Sequence, residues 1–486
     1  MHLGIDLGTS ELKLLLLDDE HRIVATAHAP LTVSRPQPLW AEQNPADWWQ
    51  ALETAMQTLK ASHADALARV RDIGLSGQMH GAVLLDEKHA VLRPAILWND
   101  GRSSAQCEIL QKVPALGTEA GNLAMPGFTA PKLMWVAEHE PELFARTRLV
   151  LLPKDWLRLK LSGEAVSEMS DAAGTLWLDV GKRDWSDALL AATGLNRSQM
   201  PRLVEGSAPS ATLDASLARA WGMSEGVVIA GGGGDNAASA VGISAVHPGQ
   251  GFVSLGTSGV IFMVTDRFQP DPERAVHAFC HALPQRWHQM SVMLSAASAV
   301  SWASQCLGFK DVPTLLQAAA QCNDSQRAQA PVFLPYLSGE RSPHNDAHAK
   351  GVLFGLSAGH GSNDLAYAVV EGVCLGLRDG LDTLATPSEP LVMTGGGARS
   401  DWWSQLLADV LAVPLVSVTG GETGGALGAA RLGWLANGGT EEQACPAPQI
   451  REHFQPRAEY RALLDERHAR FRALYPALRA QFRQGV

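Results

Sequence analysis

A tetrapeptide that occurs twice constrains this chain most. Leu7-Gly8-Thr9-Ser10 returns as Leu255-Gly256-Thr257-Ser258. Each copy follows a short apolar run, Leu3 to Ile5 or Phe252 to Ser254. Each precedes another, Leu12 to Leu17 or Val260 to Val264, that gives way to an acidic turn. Four residues alone specify little, but the shared strand–loop–strand setting predicts two homologous halves. The break is expected between Ala245 and Gly251, where His247-Pro248-Gly249 has turn chemistry. The expected units are therefore residues 1–244 and 245–486. A chain of 486 residues has room for two large cores without staples.

Composition closes other doors. Asp and Glu outnumber Lys and Arg by 50 to 39, a net charge of -11, which disfavours nucleic acid or an acidic membrane as partner. Six cysteines lie scattered without a CxxC pair, so neither a disulfide framework nor a zinc site is expected. The apolar start is interrupted by Asp6, and Asp235 interrupts the apolar stretch Val227 to Val246. Both read as buried strand plus turn, and no leader or membrane span is expected. The reading is a cytoplasmic α/β protein.

The first apolar runs, with tight turns between them, predict a meander: His2 to Ile5, Leu12 to Leu17 and Ile23 to Ala29. Asn44-Pro45 starts a helix, with Pro at its first turn. Strands are expected over Val70 to Leu75, Val227 to Ala230 and Leu391 to Met393. An amphipathic helix, interrupted or bent at Pro476, is expected within Arg457 to Val486.

Several segments carry polar groups suited to chemistry. Gly8-Thr9-Ser10 and Gly256-Thr257-Ser258 expose backbone N–H groups and hydroxyls, as phosphate oxygens require, although the same residues make ordinary turns. Asp6 ends a strand beside the first loop. A carboxylate there either coordinates Mg2+ through water or orients phosphate groups, since bare anions repel, or else it caps the turn. Gly231 to Gly234 lead into Asp235 and Asn236. Asp235 is either a helix cap or a general base toward an acceptor hydroxyl, and the glycine run ahead favours the base. Thr394 to Ser400, with Gly395 and Gly396, opens a helix at a strand end, where a flat ring or a phosphate fits. Gln78-Met79-His80 and Trp98-Asn99-Asp100 end strands in the first half and offer a polyol an indole face with donors and acceptors. His80 also fits a core position. His277, His281, His344 and His348 have no metal-site spacing and are assigned no ligand role.

This constellation resembles the FGGY carbohydrate kinases, within the actin-like, hexokinase-like ATPases. Gly127 to His139 matches the family's first signature, and Gly351 to Leu356 with Asp364 to Glu371 matches its second. Leu334 to Asp346 is similar to the family as well. Gly77-Gln78-Met79-His80-Gly81 and Trp98-Asn99-Asp100-Gly101-Arg102 are similar to the xylulokinase branch. The chain departs from the usual pattern in its fourth glycine before Asp235 and in Glu422-Thr423-Gly424-Gly425-Ala426.

The resemblance implies two ribonuclease-H-like domains across a deep cleft, with sugar mainly on the first and ATP on the second. It implies phosphorylation of D-xylulose by ATP, with Asp235 as base and Asp6 assisting Mg2+ and phosphate. Met79, His80, Trp98, Asn99, Asp100, Asp171 and Asn236 carry over as sugar contacts. Gly256, Thr257, Gly395, Gly396 and Ser400 carry over as ATP contacts, joined by Gly8, Thr9, Ser10 and Ser258 from the loops above. A homodimer is compatible with the family. The rival readings are a kinase for another ketose, polyol or sugar acid, and an actin-like ATPase or sugar sensor that transfers nothing to a sugar.

Overall fold

The structure is a computed structural model that describes residues 1–420 and 423–483. Glu422 and the end of the C-terminal segment, 484–486, lie outside the described residues.

Two seven-stranded mixed sheets organise the chain. The first holds β1 (His2–Leu7), β2 (Glu11–Leu17), β3 (Ile23–Pro30), β4 (Asp72–Gly77), β5 (Pro209–Thr212), β6 (Val228–Ala230) and β7 (Gly233–Gly234). The second holds β8 (Gly251–Leu255), β9 (Gly259–Thr265), β10 (His277–Cys280), β11 (Trp287–Met293), β12 (Leu391–Thr394), β13 (Leu415–Val418) and β14 (Ile450–Phe454). The first runs β5-β6-β4-β1-β2-β3, with β7 paired to β4; the second runs β10-β11-β9-β8-β12-β13-β14.

The repeat seen in four residues extends to strand direction. In the first sheet β3, β2 and β1 are successively antiparallel, β1, β4 and β6 successively parallel, and β5 antiparallel to β6. In the second, β11, β9 and β8 are antiparallel, β8, β12 and β13 parallel, and β14 antiparallel to β13. Each repeated loop is thus the hairpin turn of the two central strands. The long runs Leu14 to Leu17 and Ile261 to Val264 are fully buried, as central strands covered on both faces must be.

Six helices matter for the site: α1 (Pro45–Leu67), α2 (Asp235–Gly242), α3 (Ser362–Leu381), α4 (Asp401–Leu411), α5 (Gly424–Ala436) and α6 (Arg461–Phe482). Asn44 caps α1, its side chain accepting the Ala46 N–H at 3.1 Å. Helix α6 passes through Pro476 as one element, where the sequence suggests an interruption or bend. Leu464, Phe471, Tyr475 and Phe482 hold one face of it on the core, which offsets the hydrogen bond that Pro476 lacks.

Helix α5 follows the strands of the second sheet, yet it packs on the first sheet and on α2. Glycines make that approach possible. A Cβ on Gly4 or Gly74 would overlap the carbonyl oxygens of Ala426 and Ala429, and one on Gly428 would overlap that of Ala238. The first sheet is therefore completed by residues 424–436, far along the chain from its strands.

Candidate active site

Helix α2 starts where the glycine run ends, and Gly231, Gly232 and Gly234 each have a neighbour that crowds out a side chain. A Cβ on Gly231 would strike the Glu205 carbonyl, and one on Gly234 would come within 2.9 Å of the Met79 sulfur. Gly232 has a φ of 84° and lies against the Leu75 carbonyl. The fourth glycine, a departure at the level of sequence, thus has a packing reason.

Gly234 takes the cap position of α2 and leaves Asp235 in the first turn. The Asp235 Oδ1 accepts the backbone N–H of Asn236 at 2.7 Å and its side-chain amide at 2.9 Å. Burial pushes the Asp235 carboxyl up to about 6, opposed by the Asn236 N–H and reinforced by the charge of Asp6. Burial also raises the Asp6 carboxyl, opposed by the neighbouring Ser76 hydroxyl and the charge of Lys13. Asp6 faces the N-terminal turn of α5, where a Cβ on Gly425 would lie 2.7 Å from its Oδ2.

A cavity of about 200 Å3 lies in front of Asp235. Met79, His80, Trp98, Phe128 and Asn236 line it from the first half, and Ser258, His277, Phe279 and Arg341 from the second. The His80 Nδ1 donates to the Gly174 carbonyl at 2.7 Å. That bond fixes the tautomer and leaves Nε2 as an acceptor. Burial lowers the His80 imidazole to about 3, so it stays neutral. The first signature segment explains its position: Thr129 Oγ1 and the buried Lys132 Nζ both donate to the His80 carbonyl, at 3.1 and 2.8 Å.

The remaining sugar-side residues divide. Trp98 is 44% exposed at the cavity, and its indole N–H donates to Thr9 Oγ1 at 2.9 Å. Asn99 Oδ1 is buried without a hydrogen-bond partner among the described residues. Asp100 is turned away, accepting from the Ala41 N–H and from Arg102. Asp171 is fully buried in an ion cluster, its Oδ2 3.0 Å from Lys154 Nζ, and burial raises its carboxyl to about 8. Its neighbour Ser170 accepts the Gly234 N–H at 3.0 Å, so this segment supports the Asp235 turn from behind.

The two hairpin loops are not equivalent. Thr9 is occupied on its own side: besides taking the Trp98 N–H, it donates to Gln78 Oε1 at 3.1 Å. In the second loop Gly256 and Thr257 line an apolar cavity of about 720 Å3, with Leu316, Gly396, Gly397, Ser400, Trp402 and Trp403. Ser400 also caps α4 by accepting the Trp403 N–H at 3.3 Å. Gly395 holds a φ of 83° against Leu255, whereas a Cβ on Gly396 would meet nothing within 4 Å.

A third cavity, about 330 Å3 and lined by polar and apolar atoms alike, adjoins the other two. It shares Asn236 with the first, and Gly396 and Arg399 with the apolar one. The three lie side by side between Asp235 and the Trp402 and Trp403 wall.

Family models match most of the chain. The N-terminal domain of the FGGY family of carbohydrate kinases matches residues 1–242, and its C-terminal domain matches residues 251–436.

The chain belongs to the FGGY family of carbohydrate kinases.

Among relatives of this FGGY kinase, the xylulose kinase of Escherichia coli (strain K12) is 52% identical over 98% of this chain and 99% of its own length. That of Klebsiella pneumoniae is 54% identical over 90% of each. A crystal structure of a "xyloylose kinase" from Brucella ovis is 49% identical with a TM-score of 0.96, covering 99% of both chains. Three features of the site escape sequence reasoning: the contribution of His277 and Arg341 to the sugar-side cavity, the engagement of Thr9 by Trp98 and Gln78, and Arg399 at the junction of two cavities. His277 stands alone in the sequence; the others lie in segments that the sequence marks, but their mutual contacts depend on the fold.

Proposed function

We propose that this chain transfers the γ-phosphoryl group of ATP to the terminal hydroxyl of D-xylulose, giving D-xylulose 5-phosphate and ADP. The observation that carries the reading is the row of adjoining cavities just described, with the Asp235 carboxylate at one end and an apolar, tryptophan-walled cavity at the other. The sugar takes the cavity before Asp235, the adenine the apolar cavity, and the phosphates the polar cavity between them. Residues 1–244 supply the base and the acceptors for the sugar, and residues 245–486 the nucleotide side.

Phosphoryl transfer asks mainly for positioning and charge neutralisation. Asp235 orients the terminal hydroxyl and takes its proton as the new O–P bond forms and the bond to ADP breaks. Neutral His80 accepts a sugar hydroxyl at Nε2. The second hairpin, with Thr257, and the open backbone at Gly396 hold phosphate oxygens, while Ser400 and the α4 turn flank the nucleotide. Asp6 and Asp235 load the same buried region with negative charge. That donor set fits Mg2+, a hard cation that keeps most of its ligands as water and phosphate and supplies charge neutralisation when bound. A cytoplasmic location and a homodimeric assembly belong to the same reading.

Turnover is tested by coupling ADP release to NADH oxidation with Mg-ATP and a panel of ketoses, polyols and sugar acids. D-Xylulose is expected to lead the panel, well above the sugar-free rate. Asp235→Ala is expected to lose about 10²- to 10⁴-fold in kcat while still binding ATP. ATP hydrolysis that ignores every sugar contradicts the assignment.

A further inference from the structure

Transfer to the terminal hydroxyl of a 2-ketopentose requires the open chain, because ring closure onto C2 consumes that same oxygen. The reacting form therefore presents a C2 carbonyl oxygen, which only accepts hydrogen bonds, and burying it without a donor is costly. The first half offers this oxygen few donors. Asp235 and the His80 Nε2 accept, one of the two Asn236 amide N–H groups is spent on Asp235, and the Trp98 N–H is spent on Thr9.

Arg341 reaches the same cavity from the second half. It lies in the connection between the paired strands Val332–Leu334 and Val352–Phe354. Its backbone is locked on both sides. Glu340 and Asp346 exchange backbone hydrogen bonds at 2.9 and 2.8 Å, and the Ser342 N–H donates to the Val292 carbonyl at 3.1 Å. The Glu340 carboxylate accepts the N–H groups of Leu294 and Arg341, at 2.9 and 2.8 Å. The guanidinium makes no ion pair among the described residues. One of its five N–H groups reaches His277 Nε2 at 3.4 Å, and that ring is fixed in turn by the Asn122 side-chain oxygen at 3.4 Å from Nδ1. A half-buried cation with unspent donors, aimed by a rigid backbone, suits recognition of an oxygen acceptor.

We propose that Arg341 is a positioning and specificity residue that donates to the C2 carbonyl oxygen of the open-chain ketose, so that the second half distinguishes a ketose from the corresponding polyol. The inference rests on the ketose-kinase reading above.

Steady-state kinetics of Arg341→Ala and Arg341→Lys with D-xylulose and with its pentitol, in which C2 carries a hydroxyl, test this. Arg341→Ala is expected to raise KM for D-xylulose by roughly ten- to a hundredfold. It should leave KM for ATP unchanged and shrink the preference for ketose over pentitol by a similar factor. Arg341→Lys, which keeps charge and donors, is expected to recover part of the loss, and it serves alone if the alanine variant does not fold. Equal losses on ketose and pentitol, or a fall in kcat at unchanged sugar KM, overturn the assignment. A wild-type enzyme inactive on D-xylulose overturns the substrate reading instead. The same variants are then compared on the ketose and polyol pair of the acceptor that it does use, with the same two outcomes deciding Arg341.

Discussion

Asp235 and Asp6 feel each other's charge in a buried setting, and the pH dependence of turnover follows from that pairing. Asp235 works as a base only when ionised, so kcat/KM is expected to fall by tenfold per pH unit below about 6. Replacing Asp6 with Asn removes a negative neighbour and makes ionisation of Asp235 easier. The acid limb of the residual activity should therefore move to lower pH. A limb that stays in place in Asp6→Asn argues against coupling between the two carboxyls. At this scale the sequence was informative where a motif marked the residue, as for Asp235, and silent where geometry alone recruits it. His277 had no spacing to distinguish it from a core histidine, yet it lines the sugar-side cavity.

Elements are held by two different devices. The first is close backbone contact at glycine: α5 lies on β1, β4 and α2 where Gly4, Gly74 and Gly428 leave room. Gly428→Ala is expected to destabilise the fold by about 1–3 kcal/mol, because the obstacle is a backbone carbonyl that cannot rotate away. Gly117→Ala, where a Cβ meets nothing within 4 Å, serves as the control and should change stability by only a few tenths of a kcal/mol. Denaturant midpoints of the two variants make the comparison. The second device is a buried ion pair. Arg467 on α6 donates to Glu371 on α3 at 2.6 Å and to the carbonyls of Ala330 and Pro331. Removing one partner leaves a buried charge, so Arg467→Ala is expected to cost about 3–5 kcal/mol by urea unfolding. The amphipathic pattern of α6 was legible in the sequence; its ion pair was not, because Glu371 lies 96 residues away.

At the scale of the molecule, two strand–loop–strand motifs predicted two like sheets, and the pairing directions agree strand by strand. What the motif did not carry is how the halves share work. Sequence placed the sugar mainly on the first half, whereas the cavity before Asp235 is lined from both. Filling it therefore links the halves. D-Xylulose at a hundred times its Kd is expected to add about 2.7 kcal/mol of stability. Hydrogen exchange should slow at Met79 to Gly81 and also at Glu340 to Ser342. Protection confined to the first stretch would mean that the halves do not close on the sugar together.

The return of α5 to the first sheet has a consequence for biosynthesis. The strands of that sheet have all been made by Gly234, but the helix that covers β1 and β4 begins at Gly424, roughly 200 residues later. At about 5–20 residues per second, the ribosome takes on the order of 10–40 s to deliver it. Through that interval the nascent first half carries an uncovered apolar face, with the close-approach sites at Gly4 and Gly74 empty, a surface open to chaperones and to non-native contacts.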